Sequence, residues 1–78
     1  MSLTVKLFGT LRRFSQKGTP GIWKGDVPAG CTLKGLVAHL GAPEDEVAAA
    51  AINGETLPLE TEIPDNATVM LVTHVNGG

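Results

Sequence analysis

The sequence contains few of the residues that usually build reactive or stabilising sites in small domains. It has one cysteine, Cys31, and two histidines, so neither an internal disulfide nor a Cys/His zinc cluster supports the fold. A lone cysteine is typical of proteins in reducing compartments, and we therefore expect a cytoplasmic location. We interpret Cys31 as a small filler before a helix and His39 as a boundary residue of that helix.

Long apolar runs and clusters of positive charge are also absent. No segment approaches the ~18 consecutive apolar residues of a membrane span, and "MSLTVKLF" lacks the pattern of an export signal. Six Lys/Arg stand against eight Asp/Glu, for a formal net charge of −2. We therefore expect no nucleic-acid partner and no membrane partner. The pair Arg12-Arg13 and the acidic run 44–46 are interpreted as solvated surface, with an acidic partner as the second interpretation for the arginines.

Phosphate-binding motifs are missing as well. Neither GxxxxGK[ST] nor a GxGxxG that follows a strand occurs in the sequence, and these glycine-rich loops are the common cradles for nucleotide phosphates. Any ATP must therefore be bound by another protein. We predict no active site within this chain.

The first half of the chain predicts a β-hairpin and one helix. Residues 3–8 ("LTVKLF") alternate apolar and polar side chains, and residues 22–27 ("IWKGDV") are extended after the turn-rich loop 15–21. Apolar residues at i, i+3, i+4 and i+7 in 33–40 predict a helix, with Thr32 as its N-cap and Gly41 just after its end. Gly35 inside this helix predicts a close approach to the backbone of the sheet.

Residues 42–54 ("APEDEVAAAAING") fit either a helix or a strand. The acidic residues and alanines after Pro43 favour a helix, whereas Asn53-Gly54 is a strong hairpin signal. We interpret 47–52 as a strand and 55–59 as an edge strand. The last predicted strand, 67–75, is apolar on both faces, which indicates a central strand covered by the helix on one face and by a partner on the other.

These elements predict an α+β fold in the order β-β-α-β-β-β, with a mixed sheet of about five strands packed on one main helix. The first and last strands are the most hydrophobic and should be neighbours in the middle of the sheet. Residues 1–78 are expected to form a single domain in which 76–78 are a flexible C-terminal tail.

The sequence ends on Gly77 and Gly78 immediately after an apolar strand. Two residues without a Cβ can lie extended in a channel that is too narrow for side chains. They would carry the α-carboxylate into the active site of another protein. The alternative is that the glycines are incidental.

The chain resembles the MoaD/ThiS family of ubiquitin-like sulfur carriers, most closely its molybdopterin synthase small subunits. The resemblance extends over nearly the whole chain: "VKLFGTLRRF" (5–14), "VPAGCTLKGLVAHLG" (27–41), "AAINGETLPLETEIPDNATVMLV" (50–72) and the terminal Gly77-Gly78. It implies a β-grasp fold. The chain departs from the molybdopterin branch at Thr73-His74, where prolines are frequent, and at 65–67, where "DGD" is frequent.

The resemblance implies a function for the terminal glycines. An E1-like enzyme would adenylate the carboxylate of Gly78 with Mg-ATP, and a sulfurtransferase would supply sulfur for its conversion to a thiocarboxylate. Gly77 would be the slender neighbour that fits the activating site. The thiocarboxylate would donate sulfur inside a molybdopterin synthase large subunit, making this chain the small subunit of such a complex. The family's interfaces imply partner-binding roles for six residues: Phe8, Met70, Val72, His74, Val75 and Asn76.

Three alternatives remain open. The first is a thiamine-type or other sulfur carrier. The second is a ubiquitin-like modifier whose Gly78 forms isopeptide bonds with lysines. The third is a β-grasp binding module in which the glycines have no role.

Overall fold

A five-stranded sheet and one α-helix form the framework of the computed structural model, which describes residues 1–73. The strands are β1 (Ser2–Leu7), β2 (Ile22–Asp26), β3 (Val47–Ile52), β4 (Glu55–Thr56) and β5 (Thr68–Thr73), and the α-helix is α1 (Leu33–Leu40). Two short 3₁₀ helices, Gly9–Phe14 and Glu44–Glu46, complete the secondary structure. The order β-β-α-β-β-β is therefore as predicted.

The strands lie in the order β2-β1-β5-β3-β4. β1 and β5 pair in parallel, and the remaining neighbours are antiparallel. The first and last strands are adjacent in the interior of the sheet, as their hydrophobicity predicted. This mixed sheet on a single helix is the predicted β-grasp fold.

The core lies between α1 and one face of the sheet. Alternate residues of the two central strands point into it, because successive side chains of a strand lie on opposite faces. Its most completely buried side chains are Leu3, Val5, Leu11, Leu33, Leu36, Val37, Val69 and Leu71. All are aliphatic, so the core depends on close packing of branched side chains.

The ends of α1 match the sequence prediction. The Thr32 hydroxyl accepts a hydrogen bond from the Gly35 N–H at 3.0 Å, and Gly41 ends the helix at φ 82°. The predicted approach of Gly35 to the sheet is wrong. A Cβ there would lie 3.1 Å from Cys31 Sγ and 3.4 Å from Thr32 Oγ1, so the small residue accommodates the side chains of the two residues that precede the helix.

The connection between β1 and β2 begins with a short helix and not with an irregular loop. Gly9 adopts φ 64° and turns the chain into the 3₁₀ helix Gly9–Phe14, which the alternation of residues 3–8 did not predict. Leu11 is fully buried and fixes this helix on the core. The helix crosses the end of the sheet beside β5.

The ambiguous segment 42–54 is a strand, as interpreted. β3 continues into a turn in which Asn53 and Gly54 have φ values of 51° and 90°, as a two-residue hairpin requires. β4 is shorter than the predicted 55–59, and β5 is observed to Thr73. Residues 74–75 of the predicted last strand lie outside the described residues. In the described part of the chain, no helix is both long and apolar enough to cross a membrane.

Candidate docking face and the end of β5

The sheet face opposite α1, hereafter the outer face, carries the apolar side chains that remain outside the core. The register of the strands places them in one patch. Lys6 of β1 and Ala51 of β3 flank Met70 of β5, and Ala49 lies beside Val72. The apolar members of the outer face are Phe8, Ile22, Ala49, Ala51, Met70 and Val72.

Exposure differs among these residues. Phe8 is the one large apolar side chain among residues 1–73 that is classed as exposed, at 40%, while Met70 and Val72 are partly exposed. Their inward neighbours on β5, Val69 and Leu71, have no exposed surface. The central strand therefore presents apolar surface on both faces, and only one is covered within the described chain.

Phe8 also borders a concave pocket of about 340 Å³. The wall consists of the end of β1, the 3₁₀ helix, and the loop that leads into β2. The lining residues are Lys6, Leu7, Phe8, Gly9, Arg12, Pro20, Gly21 and Ile22. Two cations, Lys6 and Arg12, thus stand beside apolar surface. Such a pocket can receive an apolar side chain that has a carboxylate nearby.

β5 ends beside this pocket. Because β1 and β5 are parallel, both strands end on the same side of the sheet. At this edge, which is formed by strand ends, the Phe8 N–H donates to the Leu71 carbonyl at 3.0 Å. Thr73 is 9% exposed and pairs with Val47 of β3. Gly9 lies against Thr73 so closely that a Cβ at Gly9 would overlap Thr73 Oγ1.

Arg13 and Glu46 form a two-point ion pair across this edge. The guanidinium donates to both carboxylate oxygens at 2.6 and 2.8 Å, which lowers the pKa of Glu46 and raises that of Arg13. Both side chains are solvent-exposed, as interpreted, and they are also paired with each other. Arg13 also donates to the Thr10 carbonyl at 2.8 Å and stacks on the Phe14 ring.

Cys31 and His39 occupy places that agree with their predicted structural roles. Burial raises the pKa of the Cys31 thiol, so the thiol is a poor nucleophile near neutral pH. Its Sγ–H donates to the Thr32 carbonyl at 3.3 Å. His39 makes an edge contact with Trp23 of β2, with the ring centroids 5.7 Å apart.

The structure brings three of the predicted site residues together. Phe8, Met70 and Val72 lie on the outer face, next to the edge where β5 ends. The other five predicted residues lie outside the described residues: His74, Val75, Asn76, Gly77 and Gly78.

Sequence reasoning missed the contacts that surround Thr73. The ion pair joins residues 33 positions apart, and no local pattern indicates such a pair. Gly9 offered a signal, because a glycine directly after a strand often permits a positive φ or a close contact.

Comparisons with known proteins agree with this architecture. A model of the ThiS family matches residues 5–78. SAMP1 of Haloferax volcanii superposes with a TM-score of 0.72 at 22% identity over 100% of both chains. A putative molybdopterin converting factor subunit 1 of Pyrococcus furiosus gives 0.69 at 16% identity, over 95% of this chain and 98% of that chain.

A further solved structure is a complex of subunits 1 and 2 of the molybdopterin-converting factor from Helicobacter pylori. It matches with a TM-score of 0.62 at 25% identity over 100% of both chains. Among curated proteins, no match was found.

Proposed function

This chain belongs to the ThiS family, and we propose that it is a sulfur carrier whose Gly78 carboxylate is adenylated by an E1-like enzyme and then converted to a thiocarboxylate. The observation that carries the proposal is the family match over residues 5–78, which extends through the terminal Gly77-Gly78. The described chain supports it by the position of β5. In the sequence, Gly77 and Gly78 follow the last residue of this central strand by four and five positions.

The proposed chemistry requires little from this domain except delivery. A carboxylate is a poor acyl donor, and adenylation creates an acyl phosphate anhydride with a good leaving group. Sulfur delivered at the sulfide level, as HS⁻, then attacks the acyl carbon of Gly78; a C–S bond forms, the C–O bond to AMP breaks, and AMP leaves, so that the terminal acid becomes a thiocarboxylate. The partner supplies Mg-ATP binding and a sulfurtransferase supplies sulfur, while Gly77 and Gly78 supply a chain end that is slim enough to enter a narrow channel.

The outer face is the proposed docking surface for these partners. Phe8, Met70 and Val72 supply apolar contact beside the edge where the tail begins, so a partner bound there would have the tail within reach. His74, Val75 and Asn76 are proposed to extend this contact along the tail. A few well-packed residues near the centre of an interface carry most of the binding free energy.

We propose molybdopterin synthesis as the pathway. The relative from Helicobacter pylori forms a complex with subunit 2 of its molybdopterin-converting factor, and the corresponding partner here would be a molybdopterin synthase large subunit. A thiamine-type carrier would share the activation step but would use a different acceptor. We place the protein in the cytoplasm, where such partners operate in a reducing environment.

Intact mass spectrometry tests the carrier function directly. Chain purified from its native host, or coexpressed with that host's E1-like enzyme and sulfurtransferase, should show replacement of one oxygen by sulfur at Gly78. Deleting Gly78 or adding one bulky residue after it should abolish the modification while the domain stays folded. Thiolation of the extended variant would contradict the role of the slim terminus.

A second candidate function is protein modification. It is favoured by the solved relative named small archaeal modifier protein 1 of Haloferax volcanii. The same activated Gly78 carboxylate would then form an isopeptide bond with a lysine of a target protein. Conjugates that survive reductant and contain a Gly78–lysine linkage would support this function, whereas a thiocarboxylate without such conjugates would reject it.

A further inference from the structure

Thr73 is held on three sides at the end of β5. On one side it pairs with Val47, and on the other side the strand is fixed by the bond from the Phe8 N–H to the Leu71 carbonyl. The third side is closed by Gly9, where any Cβ would overlap Thr73 Oγ1. Among residues 1–73, Thr73 is the one buried polar residue.

Gly9 is suited to this contact for two reasons. Its φ of 64° lies in the left-handed region, which side chains with a Cβ rarely adopt. The absent side chain also leaves room for Thr73. Leu11, fully buried two residues later, keeps the 3₁₀ helix seated over the strand.

The Arg13–Glu46 ion pair completes the set of contacts around Thr73. Arg13 stands near the far end of the same 3₁₀ helix, and Glu46 immediately precedes Val47, the residue with which Thr73 pairs. The contacts thus form a ring from Thr73 to Gly9, along the helix to Arg13, across to Glu46 and back through Val47. We call these five residues the Thr73 clamp.

We propose that the Thr73 clamp fixes the point from which the C-terminal segment reaches into a partner, which makes Gly9, Arg13 and Thr73 positioning residues. This inference rests on the proposed function. Five residues follow Thr73, and at 3.3–3.6 Å per extended residue they reach at most about 18 Å. A fixed starting point confines the Gly78 carboxylate to a partner site within that distance of Thr73.

The clamp and the outer face should affect different kinetic parameters. Contacts made by the outer face should contribute the same binding free energy to the ground state and to the transition state of adenylation. Loss of these contacts should therefore raise KM. The clamp orders the reacting end within the bound complex, so its loosening should lower kcat.

Amide hydrogen exchange measured by NMR tests the clamp without a partner. In Gly9→Ala, we expect Val72 and Thr73 to exchange about tenfold faster than in the wild type, because the end of β5 opens locally. Val5 and Val69, in the middle of the sheet, should be unaffected. Equally faster exchange at all four amides, or no change in exchange at any of them, would contradict the proposed clamp.

A charge exchange provides a second, milder test in case Gly9→Ala does not fold. Arg13→Glu should accelerate exchange at Val72 and Thr73, and the double variant Arg13→Glu/Glu46→Arg should restore the wild-type rate. Failure of the double variant to restore it would show that the ion pair does not hold the end of β5.

ATP–pyrophosphate exchange with the native host's E1-like enzyme tests whether the clamp affects adenylation. Arg13→Glu should lower kcat about fivefold or more with KM little changed, and Glu46→Arg in the same chain should restore kcat. An active wild type with an unaltered kcat in Arg13→Glu would overturn the positioning role. An inactive wild type would instead reject the proposed adenylation, and hydrogen exchange would still decide whether the clamp exists.

Discussion

The guanidinium of Arg13 donates two hydrogen bonds to the carboxylate of Glu46, with N–O distances of 2.6 and 2.8 Å. The pair joins the segment after β1 to the segment before β3, and these lie on either side of the end of β5. Two-point pairs of this kind are geometrically specific even when partly exposed. This pair therefore links stability at one edge of the sheet to the ionisation of one carboxyl group.

The first prediction is a pH dependence of stability. The Arg13 hydrogen bonds, the largest cause, lower the pKa of Glu46 below its ordinary value of 4.5. The stabilisation is therefore complete above pH 4.5 and is lost as the pH falls through the lower folded-state pKa. The difference in the free energy of unfolding between wild type and Glu46→Gln, measured with urea at several pH values, should shrink over that range.

The control for this experiment is Asp45→Asn. Asp45 lies in the same 3₁₀ helix but has no ion-pair partner in the described part of the chain. This variant removes the same formal charge without removing the pair. If its pH profile matched that of Glu46→Gln, the effect would be due to net charge rather than to Arg13.

The second prediction concerns the two faces of β5. Leu71→Ala removes a fully buried side chain and should lower the free energy of unfolding by about 3 kcal/mol. Val72→Ala, on the outer face, should cost less than about 1 kcal/mol because partly exposed positions lose less burial. Urea unfolding of both variants checks this. A comparable loss in the free energy of unfolding for both variants would mean that the outer face is also packed in the isolated chain.

The third prediction concerns the start of α1. Thr32→Ala removes the acceptor for the Gly35 N–H and should cost about 1 kcal/mol of stability, as loss of an N-cap usually does. Thr32→Ser keeps the hydroxyl and should retain most of that stability. Thermal unfolding followed by circular dichroism distinguishes the two. Equal destabilisation by serine and alanine would assign the effect to the Thr32 methyl group.

The fourth prediction concerns partner binding. Val72→Asp places a charge in the middle of the outer face and should weaken binding of the E1-like enzyme by about tenfold or more, the effect expected at the core of an interface. Ala38→Asp adds the same charge on the exposed side of α1 and should leave the Kd unchanged. Isothermal titration calorimetry measures both. An equal loss of affinity in both variants would indicate a general electrostatic effect of the added charge.

The fifth prediction concerns Cys31. Burial raises the pKa of its thiol above the ordinary value of 9.0, and the thiolate is the reactive form. Alkylation by iodoacetamide at neutral pH should therefore be slower in the native chain than in urea. Mass spectrometry of the time course measures the ratio. Equal rates would contradict the partial burial of the thiol.

Local patterns in the sequence were enough to predict the individual strands and the helix. Alternation in 3–8 predicted β1, the spacing of Leu33, Leu36, Val37 and Leu40 predicted α1, and Asn53-Gly54 resolved 42–54 in favour of a strand and turn. These signals are local because a strand or helix must bury one face, and the chain's own periodicity records which face that is. The two apolar faces of residues 67–75 likewise predicted the central position of β5.

The contacts around the end of that strand could not be predicted in this way and depend on the packing of the whole fold. Gly9 meets Thr73 across 64 positions of sequence, and Arg13 meets Glu46 across 33. The parallel pairing of β1 with β5 and the 3₁₀ helix after β1 bring these residues to one edge. Contacts of this kind depend on how whole elements pack, and no periodicity within a single segment encodes them.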